Sequence, residues 1–335
     1  MEQNSAVQSA PKGRCRLYAC GGAGVNIGSK FELNRNHPEP GFANLDIVYI
    51  DTSAANMRHN ISGDSCYMIS GLDGSGKIRA ENHEEISTRI KAILQQFKPA
   101  DLNIVVSSAA GGSGSVISPL LVSELLKSKA PTIVLSIGSA DTRLDTENTI
   151  KTIKSYESIS RLQKAPVVMA YVQNSANVSR EAADSHVVDT IMALCVLFSR
   201  ENRELDTQDL FNFLRFDRVT EYQPQVAALT LVDNKGDLGD LGDIITVATL
   251  AKPGTNTTLS QIPDYQCVGY IPETIDDSVG SRSPLHFIVS DGIISQVVID
   301  LNKVLTDIDQ VHGARIKRAG ILTNNDVPIS TGLVL

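Results

Sequence analysis

Three glycine-rich segments are the residues of this chain best suited to holding an anion. They are Gly21–Asn26 (GGAGVN), Gly71–Lys77 (GLDGSGK) and Ala109–Val116 (AAGGSGSV). Glycine lets backbone N–H groups approach an anion closely, and the N-terminus of a helix adds partial positive charge. The first and third segments each follow a predicted strand and lead into a predicted helix. Such segments at the carboxyl ends of parallel strands predict a site for nucleotide phosphates.

The second segment also matches the pattern of a Walker loop, G-x-x-x-x-G-K. The residue after the lysine is Ile78, however, where a Walker loop needs Ser or Thr to bind magnesium. The preceding residues, Cys66–Ser70, form a short mixed segment rather than a clear buried strand. The sequence therefore does not favour a P-loop fold, although this loop can still surround a terminal phosphate with its amides.

A dinucleotide-binding oxidoreductase that uses NAD is the alternative enzyme class. Asp51 ends the second predicted strand, where an acidic residue would bind ribose hydroxyls in such an enzyme. The first glycine segment, however, reads G-x-G-x-x-x-G through Gly22, Gly24 and Gly28, instead of G-x-G-x-x-G. This spacing, together with the unexplained third segment, weighs against the oxidoreductase.

Asp206 and Asp209 form a D-x-x-D pair within the segment Glu204–Leu210. Taken alone, this spacing is typical of an N-cap and a first-turn acid at the start of a helix. The spacing alone favours this capping role.

Alternating strands and helices predict how these segments are positioned. Short apolar runs predict strands over Arg16–Cys20, Leu45–Asp51, Leu102–Ser107, Thr132–Ile137 and Pro166–Val172. Helical patterns lie between them at Val25–Phe31, His83–Phe97, Val116–Lys127 and Thr146–Leu162. Continuous apolar strands are typical of a parallel sheet that is buried on both faces. The pattern predicts a doubly wound α/β domain.

The pattern changes after a long predicted helix, Arg180–Ser199, which is apolar on more than one side and is expected to be buried. Strands are predicted over Leu241–Leu250, Gln266–Ile271 and Leu285–Ser290, followed by a helix over Ile293–Asp309. These elements predict a second, smaller α+β domain. The expected divisions are an N-terminal arm (1–14), a nucleotide-binding domain (15–179), the central helix with the acidic loop and helix (180–216), the α+β domain (217–319) and a C-terminal tail (320–335).

Composition narrows the classes of function. The net charge of −8 over 335 residues supplies no basic field for nucleic acid or an anionic membrane, so direct binding to either is not expected. No apolar run approaches the 18 residues of a membrane-spanning helix. Five cysteines without a C-x-x-C pair predict neither a disulfide framework nor a zinc site, and the scattered histidines predict no metal site.

The glycine segments together resemble the phosphate loops of the tubulin/FtsZ superfamily. Ser107–Ser115 resembles its signature G-G-T-G-[SA]-G, with Ser113 in place of threonine and Val116 in place of the last glycine. Those two departures are similar to the tubulin-like proteins of large bacteriophages called PhuZ. Ala19–Asn26 resembles the first phosphate loop of the family, including its asparagine. The resemblance implies a parallel-sheet GTP-binding domain, a long central helix and a smaller α+β C-terminal domain.

The resemblance also implies which residues contact GTP or GDP. Gly138–Asn148 would lie on the ribose and α-phosphate side, Asn174 at the sugar and guanine, and Asp184 opposite the base. Together with the glycine segments and Asp51, the expected nucleotide-binding residues are Gly21, Gly22, Ala23, Gly24, Asn26, Asp51, Gly74, Ser75, Gly76, Ala110, Gly111, Gly112, Ser113, Gly114, Ser115, Asp145, Asn148, Asn174 and Asp184. Mg²⁺ is expected to be held mainly through the phosphates.

The acidic pair acquires a catalytic interpretation from the same resemblance. Glu204–Leu210 resembles the N-V-D-F-x-D segment of FtsZ, whose acids enter the nucleotide pocket of the next subunit. This implies that Asp209 activates the attacking water and that Asp206 supports it. The expected protein is a GTPase that assembles head to tail into dynamic filaments, with the C-terminal tail as a further contact.

The resemblance also implies where the protein works. We expect it in the cytoplasm of a phage-infected bacterium, where its filaments would position viral DNA or its compartment. A nucleotide-binding filament protein that does not hydrolyse GTP is a further alternative, against which the intact acidic pair argues.

Overall fold

A computed structural model of the chain describes residues 11–31, 40–57, 61–175, 178–233, 241–272 and 282–316. Side chains are described as far as residue 311. Most of the predicted arm (1–14) and all of the predicted C-terminal tail (320–335) lie outside these ranges. None of the described helices is both long enough and apolar enough to span a membrane.

In the described ranges, ten strands form one mostly parallel sheet. The strands are β1 (Arg14–Cys20), β2 (Asn44–Asp51), β3 (Cys66–Met68), β4 (Leu102–Ser108), β5 (Thr132–Ser139), β6 (Val167–Asn174), β7 (Val226–Val232), β8 (Asp243–Ala251), β9 (Tyr265–Tyr270) and β10 (Leu285–Asp291). Their order across the sheet is β3-β2-β1-β4-β5-β6-β7-β10-β8-β9. Every neighbouring pair from β3 to β7 is parallel, while β10 runs antiparallel to both β7 and β8. Parallel strands bring their carboxyl ends to one edge, which is where the glycine segments lie.

Seven helices cover the two faces of the sheet among the described residues. They are α1 (Gly21–Gly28), α2 (His83–Gln96), α3 (Gly114–Lys127), α4 (Arg143–Gln163), α5 (Arg180–Leu197), α6 (Thr207–Leu214) and α7 (Ile293–Ile316). One apolar core joins α1, α5 and α6 to one face, and a second joins α2, α3, α4 and α7 to the other. Along β1, Leu17 and Ala19 belong to the first core, while Tyr18 and Cys20 belong to the second. Because both faces of this strand are buried, its residues are apolar on both sides.

The predicted α/β architecture is confirmed, with two strands that the sequence did not predict. One is β3, three residues in the segment Cys66–Ser70, which pairs in parallel with β2. The other is β7. β7 pairs in parallel with β6 through Val167 opposite Val226, and it pairs antiparallel with β10. It therefore joins the strands of the predicted second domain to the parallel sheet. Alanine is uncommon in strands, and the pair Ala227–Ala228 weakens the strand signal of this segment. The proposed domain boundaries stay a prediction.

The start of the first helix was also predicted wrongly. The sequence indicated a loop at Gly21–Asn26 followed by a helix from Val25, whereas α1 begins at Gly21 directly after β1. Gly21 has a φ of +68°, a conformation that glycine adopts without steric cost. A single residue therefore makes the turn from strand to helix, and the expected loop is the first turn of α1.

Candidate nucleotide site

Two adjoining cavities lie at the carboxyl edge of the parallel strands. The larger has a volume of about 600 Å³ and the smaller about 190 Å³. Both are lined by Ala23, Ser108 and Gly111, so they form one continuous depression. The last residues of β1, β2, β4, β5 and β6 all contribute to the lining, namely Cys20, Asp51, Ser108, Ser139 and Asn174. Ligands of open α/β sheets bind at this edge.

Most of the predicted nucleotide-binding residues line this depression. In the smaller cavity these are Gly21, Gly22, Ala23, Asp51, Gly74, Ser75, Gly111, Gly112, Ser113 and Gly114. In the larger cavity they are Ala23, Asn26, Ala110, Gly111, Asp145, Asn174 and Asp184. The structure thus brings the three glycine segments together with residues that are distant in sequence.

The glycine segments pack so closely that side chains would not fit between them. A Cβ added at Gly21 would lie 2.8 Å from the Cα of Gly114, at the point where α1 and α3 both begin. A Cβ added at Gly112 would lie 1.6 Å from Oγ of Ser75 in the second segment. The first turns of both helices line the smaller cavity, so the positive ends of two helix dipoles lie beside it.

Four of the predicted residues do not line the cavities. Gly24 lies between α1 and the sheet, where a Cβ would be 2.7 Å from backbone atoms of Ala19 and Val106. The Ser115 hydroxyl donates to the carbonyls of Gly111 and Gly112 at 2.6 and 2.9 Å, so it braces the third segment.

The other two are Asn148 and Gly76. Asn148 donates to the carbonyls of Lys77 and Ala110 at 2.8 and 3.1 Å and thereby ties two segments together. Gly76 has a φ of +53° with open space around it, which indicates a role in the turn. These residues shape the site without lining it.

Asp51 is a carboxylate buried at the edge of the smaller cavity, with 1% of its surface exposed. It accepts hydrogen bonds of 2.7 Å from the Thr52 backbone amide and from Nδ2 of Asn56. Burial raises the pKa of Asp51 above its ordinary value, against the opposing effect of these donors. Asn56 also lines the cavity; it belongs to a single turn of 3-10 helix, Ala54–Asn56, and gave no sequence signal.

Asp184 lies on α5 at the far side of the larger cavity. Its Oδ2 accepts from Nδ2 of Asn26 at 2.7 Å and from Nζ of Lys30 at 3.2 Å. Asn174 lines the same cavity, and its buried Oδ1 has no hydrogen-bond partner among the described residues. A ligand donor would satisfy this oxygen, and the Asp184 carboxylate could accept from a second donor.

Lys77 and Asp145 form an ion pair of 2.7 Å that links the second glycine segment to the start of α4. Asp145 is buried and also accepts from the Thr142 hydroxyl at 2.8 Å, while half of the Lys77 side chain is exposed. Lys77 lines the larger cavity, so the lysine of the false Walker match does lie at the site. Sequence reasoning did not single out this lysine, because its partner is 68 positions away.

A half-buried arginine, Arg79, braces the same region. Its guanidinium donates to the carbonyl of Ser115 at 3.3 Å, to the carbonyl of Asn148 at 3.4 Å and to the hydroxyl of Thr152 at 3.1 Å. It therefore holds the third segment against α4. Contacts spread over so many positions leave no local pattern in the sequence.

The acidic pair lies outside these cavities. Asp206 is the exposed N-cap of α6, and it forms a capping box with Asp209: Oδ1 of Asp206 accepts from the Asp209 amide at 2.9 Å, and Oδ2 of Asp209 accepts from the Asp206 amide at 3.1 Å. Tyr265 on β9 donates to Oδ1 of Asp209 at 3.0 Å. The capping role predicted from the spacing is confirmed, and Asp209 has an additional partner that the sequence did not indicate.

Helix α5 separates the acids from the two cavities. Its first turns supply Arg180, Glu181 and Asp184 to the larger cavity, and its last residue, Leu197, lines a separate recess of about 320 Å³ together with Asp206. At 1.5 Å per residue, the 18 residues of this helix span about 27 Å. The acids and the cavities therefore lie near opposite ends of the same helix.

Among the described residues, no group of three or more His, Cys, Asp or Glu side chains could hold a metal ion. Asp51 is the carboxylate that lines the smaller cavity beside the glycine segments. Its oxygens already accept hydrogen bonds from Thr52 and Asn56. Magnesium held mainly through the phosphates stays a prediction.

Comparisons with known proteins agree with this geometry. Residues 205–293 match a family model described as the C-terminal domain of phage tubulin-like protein. A phage tubulin-like protein of Pseudomonas phage phiKZ is 28% identical over 337 residues, which cover 96% of this chain and 98% of the relative.

Solved structures show the same fold. A protofilament of TubZ from bacteriophage PhiKZ is similar with a TM-score of 0.81 and 26% identity, over 89% of this chain and 92% of that chain. The structure of the phage tubulin PhuZ with GDP has a TM-score of 0.83 and 22% identity, over 97% and 98% of the two chains. The match to the PhuZ structure concerns the fold alone.

Proposed function

Because this chain is a member of the tubulin/FtsZ superfamily and is similar to phage tubulin-like proteins, we propose that it binds and hydrolyses GTP and polymerises head to tail into dynamic filaments. The observation that carries this proposal is the separation of its two functional parts. The glycine segments surround a cavity at one end of α5, while Asp206 and Asp209 lie at the other end. A single molecule can therefore hold the nucleotide without placing its own acids beside it.

Hydrolysis of a phosphoanhydride needs an in-line water, neutralisation of the phosphate charge and a polar group that orients the water. The amides of the glycine segments and the N-termini of α1 and α3 would supply the neutralisation, together with Mg²⁺ bound to the phosphates. Asn174 and Asp184 would contact the sugar and the guanine. Asp209 of a neighbouring molecule would orient the water, and Asp206 would hold Asp209 in place.

Such a divided site couples hydrolysis to assembly. Contacts between unlike surfaces repeat without closing, so head-to-tail stacking produces an open filament. Each new contact completes one active site, and loss of the γ-phosphate then weakens that contact. A solved TubZ relative is a protofilament, which supports self-association as the partner interaction of this chain.

The cellular role that we propose follows from the kind of relative. A filament of this chain would act in the cytoplasm of an infected bacterium and would position phage DNA or its compartment indirectly. Residues 320–335 would add a contact to the next subunit; they lie outside the described residues, so this contact rests on the resemblance alone.

Phosphate release as a function of protein concentration tests the divided site. We expect light scattering to rise with GTP and Mg²⁺ but not with NAD, and GDP to support less assembly than GTP. Phosphate release per molecule should climb steeply above a critical protein concentration, because each site needs a neighbour. EDTA should abolish this release if magnesium screens the phosphates.

The opposite results would exclude the proposal. A release rate per molecule that does not change with protein concentration would mean that one chain contains the whole site. Assembly with GTP that is never followed by phosphate release would favour the non-hydrolysing filament protein, and binding of NAD in place of GTP would favour the oxidoreductase.

A further inference from the structure

Tyr265 contacts the acidic pair from a different part of the chain. Its hydroxyl donates to Oδ1 of Asp209 at 3.0 Å, across 56 positions of sequence. The other oxygen, Oδ2, accepts from the backbone amide of Asp206 at 3.1 Å. Each carboxylate oxygen of Asp209 thus has its own donor, so both side-chain torsions of this residue are fixed.

The chemistry of the two groups fixes the direction of this hydrogen bond. A carboxylate oxygen can only accept, and a hydroxyl has a single proton. The Tyr265 hydroxyl therefore directs its proton to Asp209.

The hydroxyl also keeps this proton over the whole range in which the protein would be assayed. Burial, and secondarily the hydrogen bond to Asp209, raise the pKa of Tyr265 to about 12. The side chain is therefore a constant donor rather than a titrating group.

We infer that Tyr265 is a positioning residue for GTP hydrolysis, which holds the Asp209 carboxylate in the orientation that presents its remaining lone pairs to water. This inference rests on the proposed function. Water in an active site must be held within a fraction of an ångström of the productive geometry. A carboxylate anchored at one oxygen alone could rotate about its second torsion, whereas one anchored at both cannot.

A purely structural role for the hydroxyl is less consistent with the contacts. The capping box already closes the start of α6, because Asp206 accepts from the Asp209 amide at 2.9 Å and Asp209 accepts in return. The helix start therefore has its own hydrogen bonds without Tyr265. The Tyr265 ring could remain packed against α6 if the hydroxyl were removed.

The Tyr265→Phe substitution tests this inference, with Tyr270→Phe on the same strand as the matched control. We expect turnover per polymerised subunit to fall about tenfold in Tyr265→Phe, the order of loss for one hydrogen bond to a charged group. KM for GTP, and the critical concentration for assembly with a slowly hydrolysed GTP analogue, should stay within about twofold, since neither requires an oriented water. Tyr270→Phe should leave all three quantities unchanged.

Unchanged turnover in Tyr265→Phe would overturn the inference. A higher critical concentration with unchanged turnover per polymerised subunit would also overturn it, because Tyr265 would then act through packing.

Failure of the proposed function gives a different result. If the unmodified chain neither assembles nor releases phosphate with GTP, the proposed function and this inference fall together. If the unmodified chain hydrolyses GTP and Asp209→Ala is normal, the role of Asp209 is wrong before any tyrosine variant is considered.

Discussion

Nδ2 of Asn26 donates to Oδ2 of Asp184 at 2.7 Å and joins the first helix of the chain to the central helix across 158 positions of sequence. Both residues line the larger cavity. The amide occupies one lone pair of the carboxylate and fixes its direction, while Lys30 balances part of its charge at 3.2 Å. The remaining acceptor positions could receive the N1–H and 2-amino group of guanine, which adenine lacks.

Asp184→Asn should therefore weaken the preference for guanine. An amide presents one acceptor oxygen, so a donor pair on the base would lose part of its match, and we expect GTP affinity to fall about tenfold or more while weak ATP binding changes little. Titration calorimetry with both nucleotides measures this. Glu181→Gln, on the same edge of the cavity, is the matched control, and equal losses for GTP and ATP in Asp184→Asn would contradict a role at the base.

Asp209→Asn should keep nucleotide binding and assembly but reduce turnover. Loss of a water-orienting acid costs on the order of 100-fold in rate, while the amide retains an oxygen that can accept from Tyr265. Asp209→Ala should stall turnover as well, and it also removes half of the capping box, at a cost to stability of about 1 kcal/mol. Phosphate release from sedimented filaments measures the effect.

Glu204→Gln is the control for this pair of variants, since it removes an exposed acid from the same segment. We expect its turnover to match that of the unmodified chain. Normal phosphate release from Asp209→Asn filaments would remove Asp209 from the catalytic role and leave only its confirmed role in the capping box.

The sequence could predict the parallel strands and the glycine segments because each rests on local pattern. Leu102–Ser108 is apolar and buried throughout most of its length, and it leads into Gly111–Gly114 at the sheet edge. The position of these segments beside Asp51 then follows from the parallel arrangement. Local sequence patterns were therefore sufficient to predict which segments meet at the carboxyl edge of the sheet.

The remaining parts of the site depend on contacts that no local pattern contains. Lys77 reaches Asp145 over 68 positions, and Tyr265 reaches Asp209 over 56. β7 was missed for a related reason: its alanines gave little strand signal, and its place was set by pairing with β6 and β10. Such tertiary effects override intrinsic propensity.

Gly112→Ala should disrupt the nucleotide site without unfolding the sheet. The added methyl group would lie 1.6 Å from Oγ of Ser75 and 3.0 Å from the backbone of Lys77, so the second glycine segment must move. We expect overpacking to cost about 1–3 kcal/mol and GTP affinity to fall at least about tenfold. Gly63→Ala is the control, because nothing lies within 4 Å of the added methyl group there. Unchanged GTP affinity in Gly112→Ala would show that the two segments are free to separate.

Asp51→Asn should change how the stability of the nucleotide-free chain depends on pH. Burial raises the pKa of Asp51 in the folded protein, so the folded state binds this proton more readily than the unfolded state does. The charged carboxylate therefore lowers the free energy of unfolding above the folded-state pKa, and this cost disappears as the pH falls below the unfolded value of about 3.9. The Asp51→Asn variant lacks this carboxylate, so its free energy of unfolding should not show this dependence on pH.

Urea unfolding at pH 7 and at about pH 4.5 measures the difference, with Asp73→Asn as the control for removal of a nearby exposed acid. The free energy of unfolding of the unmodified chain, relative to that of Asp51→Asn, should be higher at the lower pH, because the Asp51 carboxyl group is then partly neutral. Stability differences that are equal at both pH values would mean that the donors from Thr52 and Asn56 fully offset burial.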